Sequence, residues 1–235
     1  MKVSVVIPVY NEENRIAKTA EELCGYLGSS FDESEVVFSN DGSTDSTLEI
    51  ARGLEEKYAN VKVVSYEKNR GKGSAVRNGM LHADGDLIFF TDCDLAYGTE
   101  VIGKAVKLFE ESGADVVIGS RNLQSESYGG YSFIRRFMSK VYFKLISLMS
   151  GFKLSDSQCG FKGFTKECAH NTFSECKIDS FAFDLEALLL AQEKGCKIAE
   201  MPVKIINHDN GQTKVKIFSD SVRMLKDIRQ IKRSK

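Results

Sequence analysis

"LIFFTDCDLAYG", residues 87 to 98, runs four bulky apolar residues straight into two aspartates that lie two positions apart. A short apolar run that ends in turn residues is typical of a strand buried on both faces of a parallel sheet. Similar runs predict five strands, at residues 3–9, 35–39, 61–65, 86–91 and 115–119. Because each run precedes a stretch of helical periodicity, the sequence predicts an α/β domain with a mostly parallel central sheet flanked by helices.

The residues that follow these strands are strongly polar, in contrast to the strands themselves. They occupy positions 8–13, 40–45, 92–94 and 120–121. Ligands of doubly wound sheets bind beyond the carboxyl ends of the strands. We therefore expect one cleft at that edge of the sheet.

Size and composition exclude several classes of protein. The chain has 235 residues, of which 42% are hydrophobic and 28% charged, and a formal net charge of −1. We expect one domain over residues 1–215 and a basic amphipathic helix or tail over 216–235. The balanced charge argues against nucleic-acid binding, and six cysteines without a CxxC pair argue against a zinc ribbon. No signal peptide and no apolar run of roughly 20 residues are apparent, which favours a cytoplasmic protein without a transmembrane helix.

Two basic amphipathic segments bear on membrane contact. An apolar stripe at helical spacing runs through residues 134–149, with basic residues on another face, and a second runs through 222–231. Either helix could pack on the domain or lie on an anionic membrane surface. The presence of both favours peripheral association with the inner face of a membrane.

Asp92 and Asp94 are candidate metal ligands. In an extended segment residues i and i+2 point to the same side, so both carboxylates can face one ligand. A hard divalent cation such as Mg²⁺ or Mn²⁺ prefers oxygen ligands and would relieve the repulsion between them. The same pattern occurs by chance in surface loops, but its position directly after a buried strand favours a metal site.

Two further segments suggest nucleotide contacts. "NDGSTDST", residues 40 to 47, predicts a turn and an N-capped helix, with Ser43 or Asp45 as the cap. This leaves Asp41 at the strand end, where it could accept hydrogen bonds from a base or ribose. "NRGKGSAVRNG", residues 69 to 79, has two close glycines and Lys72, a weak indication of phosphate binding.

Later segments contain isolated polar candidates. "SDSQCGFKGF", residues 155 to 164, contains Asp156 and Gln158, although a lone aspartate in a polar loop usually caps a turn. Asp184 begins an apolar helix, where its charge would complement the helix dipole. His208 lies in a polar loop that could form a lid.

With these segments in order, the sequence resembles glycosyltransferase family 2, whose members transfer sugars from nucleotide sugars and have a GT-A fold, a Rossmann-like α/β domain. The resemblance covers residues 3 to about 215 and rests on "VVIPVYNEE", "NDGSTD", "NRGKGSAVRNGM", "FFTDCDLA", "GSR", "DSQCGFKGF" and "AFDLEALLLA". Within the family it looks most like the dolichyl-phosphate glucosyltransferases and the related polyprenyl-phosphate glycosyl and mannosyl synthases. The segments "NRGKGSAVRNGM" and "DSQCGFKGF" are the more specific ones.

The resemblance implies a role for each candidate residue. The nucleoside is held by Pro8, Tyr10, Glu12 and Asp41, with Lys72 among the nucleotide contacts. Asp92 meets the ribose or the metal-bound diphosphate, and Asp94 binds the metal. The sugar and acceptor site is lined by Arg121, Asp156 and Gln158. His208 and Lys214 belong to a loop that closes over the diphosphate.

These roles lead to one main functional hypothesis. The chain would be an inverting glycosyltransferase that moves a hexose from a UDP-glucose or GDP-mannose type of donor to a polyprenyl phosphate at the cytoplasmic membrane face. Lys214 and the metal would stabilise the leaving diphosphate, and Arg121 would position the anionic acceptor.

Three alternatives stand beside this hypothesis. A sugar hydroxyl acceptor would require a general base, for which Asp156 is the candidate. A nucleotide-sugar binding module without catalysis is a further alternative. A nicotinamide dehydrogenase is disfavoured, because "PVYNEE" lacks the glycines that let a backbone approach a pyrophosphate.

Overall fold

The computed structural model describes residues 1–123 and 154–207. In these two ranges the strands are β1 (Lys2–Val9), β2 (Glu33–Asp41), β3 (Val61–Tyr66), β4 (Leu87–Phe90), β5 (Val116–Ser120), β6 (Lys162–Thr165) and β7 (Ile198–Pro202). The helices are α1 (Ile16–Ser30), α2 (Thr47–Lys57), α3 (Lys72–His82), α4 (Glu100–Ser112), α5 (Lys166–Phe173) and α6 (Phe183–Glu193).

The described strands form one sheet in the order β3-β2-β1-β4-β6-β5-β7. All neighbours pair in parallel except β6, which is antiparallel to both β4 and β5. The five strands expected from the sequence are confirmed, each with ends within two residues of the prediction. β6 and β7 were not predicted, because "KGFT" and "IAEMP" have neither an apolar run nor a clear alternation. The α/β class is confirmed.

The central strand β4 carries the apolar part of residues 87–98 and packs on both faces of the sheet. Leu87 and Phe89 point to the face of the sheet covered by α1, α2 and α4, and Ile88 and Phe90 point to the face covered by α3, α5 and α6. All four side chains are buried. Since burying such a side chain contributes about 1.5–3 kcal/mol, this strand fixes both layers of helices to the sheet.

Some predicted features lie outside the described residues. These are the amphipathic segment at 134–149, the basic tail at 216–235, and the lid residues His208 and Lys214. Within residues 1–123 and 154–207, no helix combines the length and the apolar character that a membrane crossing requires.

Candidate active site

The carboxyl ends of β1, β2, β4 and β5 point the same way, because β4 and β5 are both antiparallel to β6. The polar segments that follow these strands therefore meet at one edge of the sheet. Pro8 pairs with Ser39 near the end of β1, and the exposed Tyr10 follows it. Glu12 comes next; its backbone N–H donates to Thr47 Oγ1 at 2.7 Å, and its carboxylate accepts from Arg15 at 3.1 Å.

Asp92 and Asp94 lie in a turn rather than in the extended segment that the sequence suggested. β4 ends at Phe90, and Leu95 N donates to Asp92 O at 3.0 Å while Leu95 adopts a positive φ of 45°. Both aspartates are partly exposed and Cys93 between them is buried. Burial raises the pKa of the Asp94 carboxyl, and the negative charge of Asp92 raises it further. This turn is therefore a place where positive charge is stabilised.

Lys72 supplies positive charge at the turn. It is the first residue of α3, and its Nζ lies 2.5 Å from Asp92 Oδ1. Burial acts against its charge, but the carboxylates of Asp92 and Asp184 outweigh this and raise the pKa of Lys72. The structure thus brings together Lys72 and Asp92, which the sequence had assigned separately to nucleotide contacts.

The two glycines beside Lys72 have a packing role. Gly71 has a φ of 118°, and a Cβ there would lie 2.4 Å from the backbone oxygen of Asp179. A Cβ on Gly73 would lie 2.5 Å from Ile178 O and 2.7 Å from Phe183 Cβ, and Gly73 N donates to Asp179 O at 2.9 Å. The start of α3 is therefore packed against the chain that leads into α6.

Asp41 is buried at the end of β2 and is surrounded by donors of its own chain. Its carboxylate accepts from Tyr66 Oη at 2.6 Å, Asn69 Nδ2 at 2.9 Å, Arg70 N at 2.8 Å and Gly71 N at 2.9 Å. A carboxylate offers about four acceptor positions. Asp41 thus fixes the loop that carries Lys72, and a ligand that contacted its carboxylate would have to replace one of these donors.

Arg121 and Asp156 form a bidentate ion pair. Arg121 Nε and Nη2 donate to the two carboxylate oxygens at 2.6 Å and 2.9 Å, and the backbone N–H of Arg121 donates to the same group at 3.2 Å. The Asp156 side chain is 1% exposed and that of Arg121 25%. Burial opposes the guanidinium charge, but Asp156 holds the pKa of Arg121 above its ordinary value. Asp156 therefore fixes the orientation of the Arg121 guanidinium, while the Arg121 side chain stays partly exposed.

The segment from 155 to 162 contacts several parts of the site in turn. Ser155 Oγ donates to Glu200 at 2.7 Å and lies 2.5 Å from Ser120 Oγ. Further along, Cys159 is hydrogen-bonded to Tyr97, a partly buried phenol. Desolvation raises the pKa of Tyr97, and the charges of Arg121 and Asp92 both act on it. The two halves of the site thus meet at this phenol. Gln158 lies in the same segment and is partly exposed.

Gly160 of this segment lies against the metal-site candidate. A Cβ on Gly160 would be 2.5 Å from Asp92 Oδ2. The absence of a side chain therefore leaves room for the Asp92 carboxylate beside the 155–162 segment. No local pattern in the sequence indicates this contact.

Lys162 and Asp184 are a buried ion pair that sequence reasoning missed. Lys162 is fully buried at the start of β6, and its Nζ donates to Asp184 Oδ1 at 2.6 Å and to Cys159 O at 2.7 Å. Asp184 does lie in the first turn of α6, where a complement to the helix dipole was expected. Its direct partner is nevertheless Lys162. No local pattern in the sequence indicates this pair, because Lys162 and Asp184 lie 22 residues apart in the chain.

The chain after β7 returns to the aspartate turn. Ile206 N donates to Ala96 O at 2.8 Å, and Asn207 Nδ2 donates to Leu95 O at 2.9 Å. The last described residues therefore lie beside the turn that carries Asp92 and Asp94.

An α/β sheet of this order, with paired carboxylates and cationic side chains at the carboxyl ends of its strands, is typical of a doubly wound domain that binds its ligand at this edge. The model of one family, "Glycosyl transferase family 2", matches residues 4–173. The chain belongs to glycosyltransferase family 2 and is a glycosyltransferase.

Curated relatives agree with this family. Dolichyl-phosphate beta-glucosyltransferase ALG5C of Trichomonas vaginalis is 34% identical over 96% of this chain and 69% of its own length. Dolichyl-phosphate beta-glucosyltransferases of Saccharomyces cerevisiae and Homo sapiens are 31% and 34% identical, over 96% and 86% of this chain and 72% and 66% of their own lengths.

Solved structures support the GT-A fold. Glucosyl-3-phosphoglycerate synthase of Mycobacterium tuberculosis, in complex with Mn²⁺, UDP-glucose and phosphoglyceric acid, superposes with a TM-score of 0.71 at 18% identity, over 98% of this chain and 79% of that one. At this identity the likeness shows the fold.

Proposed function

We propose that this glycosyltransferase moves glucose from UDP-glucose to the phosphate of a dolichyl or related polyprenyl phosphate, with inversion at the anomeric carbon. The names of the curated relatives support the lipid phosphate and the β-linked product. UDP-glucose in the structural neighbour supports the donor.

One observation from this chain carries the proposal: Asp156, the candidate base for a hydroxyl acceptor, is buried and paired with a cation. Both oxygens of Asp156 accept from Arg121, and Asp184 is bonded to Lys162. A general base must reach the proton that it removes, whereas the Asp156 side chain is 1% exposed and Asp184 is buried. A phosphate acceptor is already anionic at neutral pH and needs positioning instead of deprotonation.

Arg121 is the group that would position the acceptor or the donor sugar. Because Asp156 fixes its Nε and Nη2, the remaining part of the planar guanidinium has a defined direction. Gln158 belongs to the same side of the site. The acceptor phosphate oxygen would form a bond to C1 of glucose, while the bond from C1 to the diphosphate breaks and its electron pair leaves with UDP.

The residues present fit a divalent cation. Asp92 and Asp94 offer carboxylate oxygens on a partly exposed turn, and burial together with Asp92 raises the pKa of Asp94. Among residues 1–123 and 154–207 no group of three or more histidine, cysteine and acidic side chains is placed to enclose a metal by itself. Mg²⁺ and ions like it are commonly held by one or two carboxylates together with substrate phosphates. Mg²⁺ or Mn²⁺ bound here would neutralise charge on the leaving diphosphate.

The remaining assignments complete the proposal. Pro8, Tyr10 and Glu12 would hold the nucleoside at the end of β1, and Asp41 would act with them by fixing the neighbouring loop. His208 and Lys214, outside the described residues, would close over the diphosphate. Contact with an anionic membrane through the two basic amphipathic segments, on its cytoplasmic face, would bring the enzyme to its lipid acceptor.

The test is a transfer assay with purified protein, radiolabelled UDP-glucose and dolichyl phosphate in detergent micelles with Mn²⁺. We expect an organic-extractable, β-linked glucosyl lipid, and loss of this product on Asp94→Asn substitution with unchanged thermal unfolding. GDP-mannose and an unphosphorylated sugar acceptor are the matched controls. Transfer to the sugar hydroxyl alone would overturn the lipid-phosphate proposal and favour glycan assembly. Donor binding without transfer to either acceptor would favour the non-catalytic module.

A further inference from the structure

Lys72 occupies an unusual place for a residue beside a candidate metal site. Its side chain is 22% exposed, and its Nζ lies 2.5 Å from Asp92 Oδ1, within direct ion-pair distance. Asp92 and Asp94 lie two positions apart on the same turn. The ammonium group of Lys72 therefore holds one of the two carboxylates that a divalent cation would use.

A second carboxylate lies behind Lys72. The start of α3 packs on the start of α6 through Gly73 and Phe183, so Lys72 and Asp184 come from adjoining ends of two helices. The charge of Asp184 contributes to the raised pKa of Lys72 after that of Asp92. Asp184 is in turn bonded to the buried Lys162. Charges thus alternate in sign through Asp92, Lys72, Asp184 and Lys162.

This alternation has a consequence for Lys72. Were Lys72 to leave Asp92, the carboxylate of Asp184 would still compensate its charge. An ammonium group on a four-carbon stem has three rotatable donors and can turn from one oxygen ligand to another. A diphosphate at the end of the sheet would offer such oxygens.

We propose that Lys72 is an exchangeable counter-cation of Asp92, which neutralises this carboxylate in the free enzyme and releases it for metal binding when a nucleoside diphosphate arrives. The inference rests on the proposed function, since it assumes that Asp92 and Asp94 bind a divalent cation with UDP-glucose. Lys72 then couples the two ligands: the metal alone must displace Lys72, whereas the diphosphate gives Lys72 a new partner. Such coupling is reciprocal, so Mn²⁺ strengthens UDP binding by the factor by which UDP strengthens Mn²⁺ binding.

The experiment measures Mn²⁺ binding directly, from the electron paramagnetic resonance signal of the free ion, with and without UDP. We expect Lys72→Met to bind Mn²⁺ alone roughly tenfold more tightly than the wild type, about 1.4 kcal/mol. In this variant we also expect UDP to strengthen Mn²⁺ binding by a smaller factor. Lys72→Arg, which keeps a cation at the position, should retain the weak binding of Mn²⁺ alone.

Lys68→Met is the matched control, because Lys68 is an exposed lysine of the same loop. It removes the same charge at a distance of four residues and should leave Mn²⁺ affinity near that of the wild type. Lys72→Gln carries the same expectation as Lys72→Met where the latter does not fold, with circular dichroism as the check. Unchanged or weaker binding of Mn²⁺ alone by the Lys72 variants would overturn the inference.

Failure of the proposed function has a different signature. If the wild type binds no Mn²⁺ even with UDP present, the assumption of a metal site at Asp92 and Asp94 is wrong, and the inference falls with it. If the wild type binds Mn²⁺ and UDP cooperatively and Lys72→Met behaves the same way, only the role of Lys72 is wrong.

Discussion

Gly160→Ala is a substitution that should damage the site while sparing the fold. The new Cβ would lie 2.5 Å from Asp92 Oδ2, whereas ordinary contacts begin at 3.4 Å, so the carboxylate must move by about 0.9 Å. The φ angle of Gly160 is not positive, so alanine causes no strain of the kind found in the left-handed region. Asp92 is 39% exposed and can rotate, at a cost of about 0.5–1.5 kcal/mol for leaving its rotamer.

The expected effect on catalysis is much larger than the effect on stability. A displacement of about 1 Å at a reacting group can lower the rate about 100-fold. We therefore expect kcat/KM for UDP-glucose to fall by roughly that factor. The same variant should lose only about 2–4 °C of Tm per kcal/mol of destabilisation. The assay is the glucosyl-lipid assay at saturating Mn²⁺, with thermal unfolding followed by circular dichroism.

Gly53→Ala is the control for Gly160→Ala. Gly53 is exposed on α2, and a Cβ there meets nothing within 4 Å. Alanine should stabilise the helix by up to about 1 kcal/mol and leave kcat/KM unchanged. Wild-type kcat/KM in Gly160→Ala would refute the argument that Gly160 sets the position of the Asp92 carboxylate.

Three further predictions concern the supports of the site. Arg121→Met leaves the buried Asp156 carboxylate without its partner and should destabilise the fold by about 3 kcal/mol, seen in urea unfolding; a loss below about 0.5 kcal/mol, the usual range for surface substitutions, would contradict the buried pair. Gly73→Ala brings a Cβ within 2.5 Å of the backbone at Ile178 and should cost about 1–3 kcal/mol, with an unchanged Tm as the contrary result. Burial raises the pKa of the Cys93 thiol to about 12. Iodoacetamide at pH 8 should therefore modify the partly exposed Cys24 and Cys196 before Cys93, as followed by mass spectrometry. Early labelling of Cys93 would show that the turn opens.

The fold could be predicted from the sequence where a few consecutive residues determine a strand or a helix. Strand β4 could be predicted because a strand that packs on both faces of a sheet needs consecutive apolar residues. Residues 87–90 are four such residues, and they pack alternately on the two faces. The polar residues after each strand were predicted to meet because parallel strands end at one edge. β6 was missed because its stability comes from pairing with β4 and β5 on either side, which a four-residue segment that begins with Lys162 does not reveal.

The partners of the candidate site residues were less predictable than the residues themselves. Lys72 was noticed for the two glycines beside it, which suggested a phosphate loop. The structure shows that Gly71 and Gly73 admit the backbone of residues 178–180. That contact joins segments over 100 residues apart in the chain, and no spacing rule connects them. In the same way, Asp184 looked like a helix-dipole residue because the sequence does not show that Lys162 would be buried beside it.

The 155–162 segment connects these separate contacts, because three of its residues each contact a different part of the site. Asp156 fixes Arg121, Gly160 accommodates Asp92, and Lys162 bonds to Asp184. These positions are four and two residues apart, so a shift of this segment would move the surroundings of Arg121, Asp92 and Asp184 together. Each of these contacts is of an ordinary kind: two are ion pairs and one is close packing against a glycine. Their coupling through one short backbone explains why the arrangement holds Arg121 and Asp92 in a fixed relation without any direct bond between them.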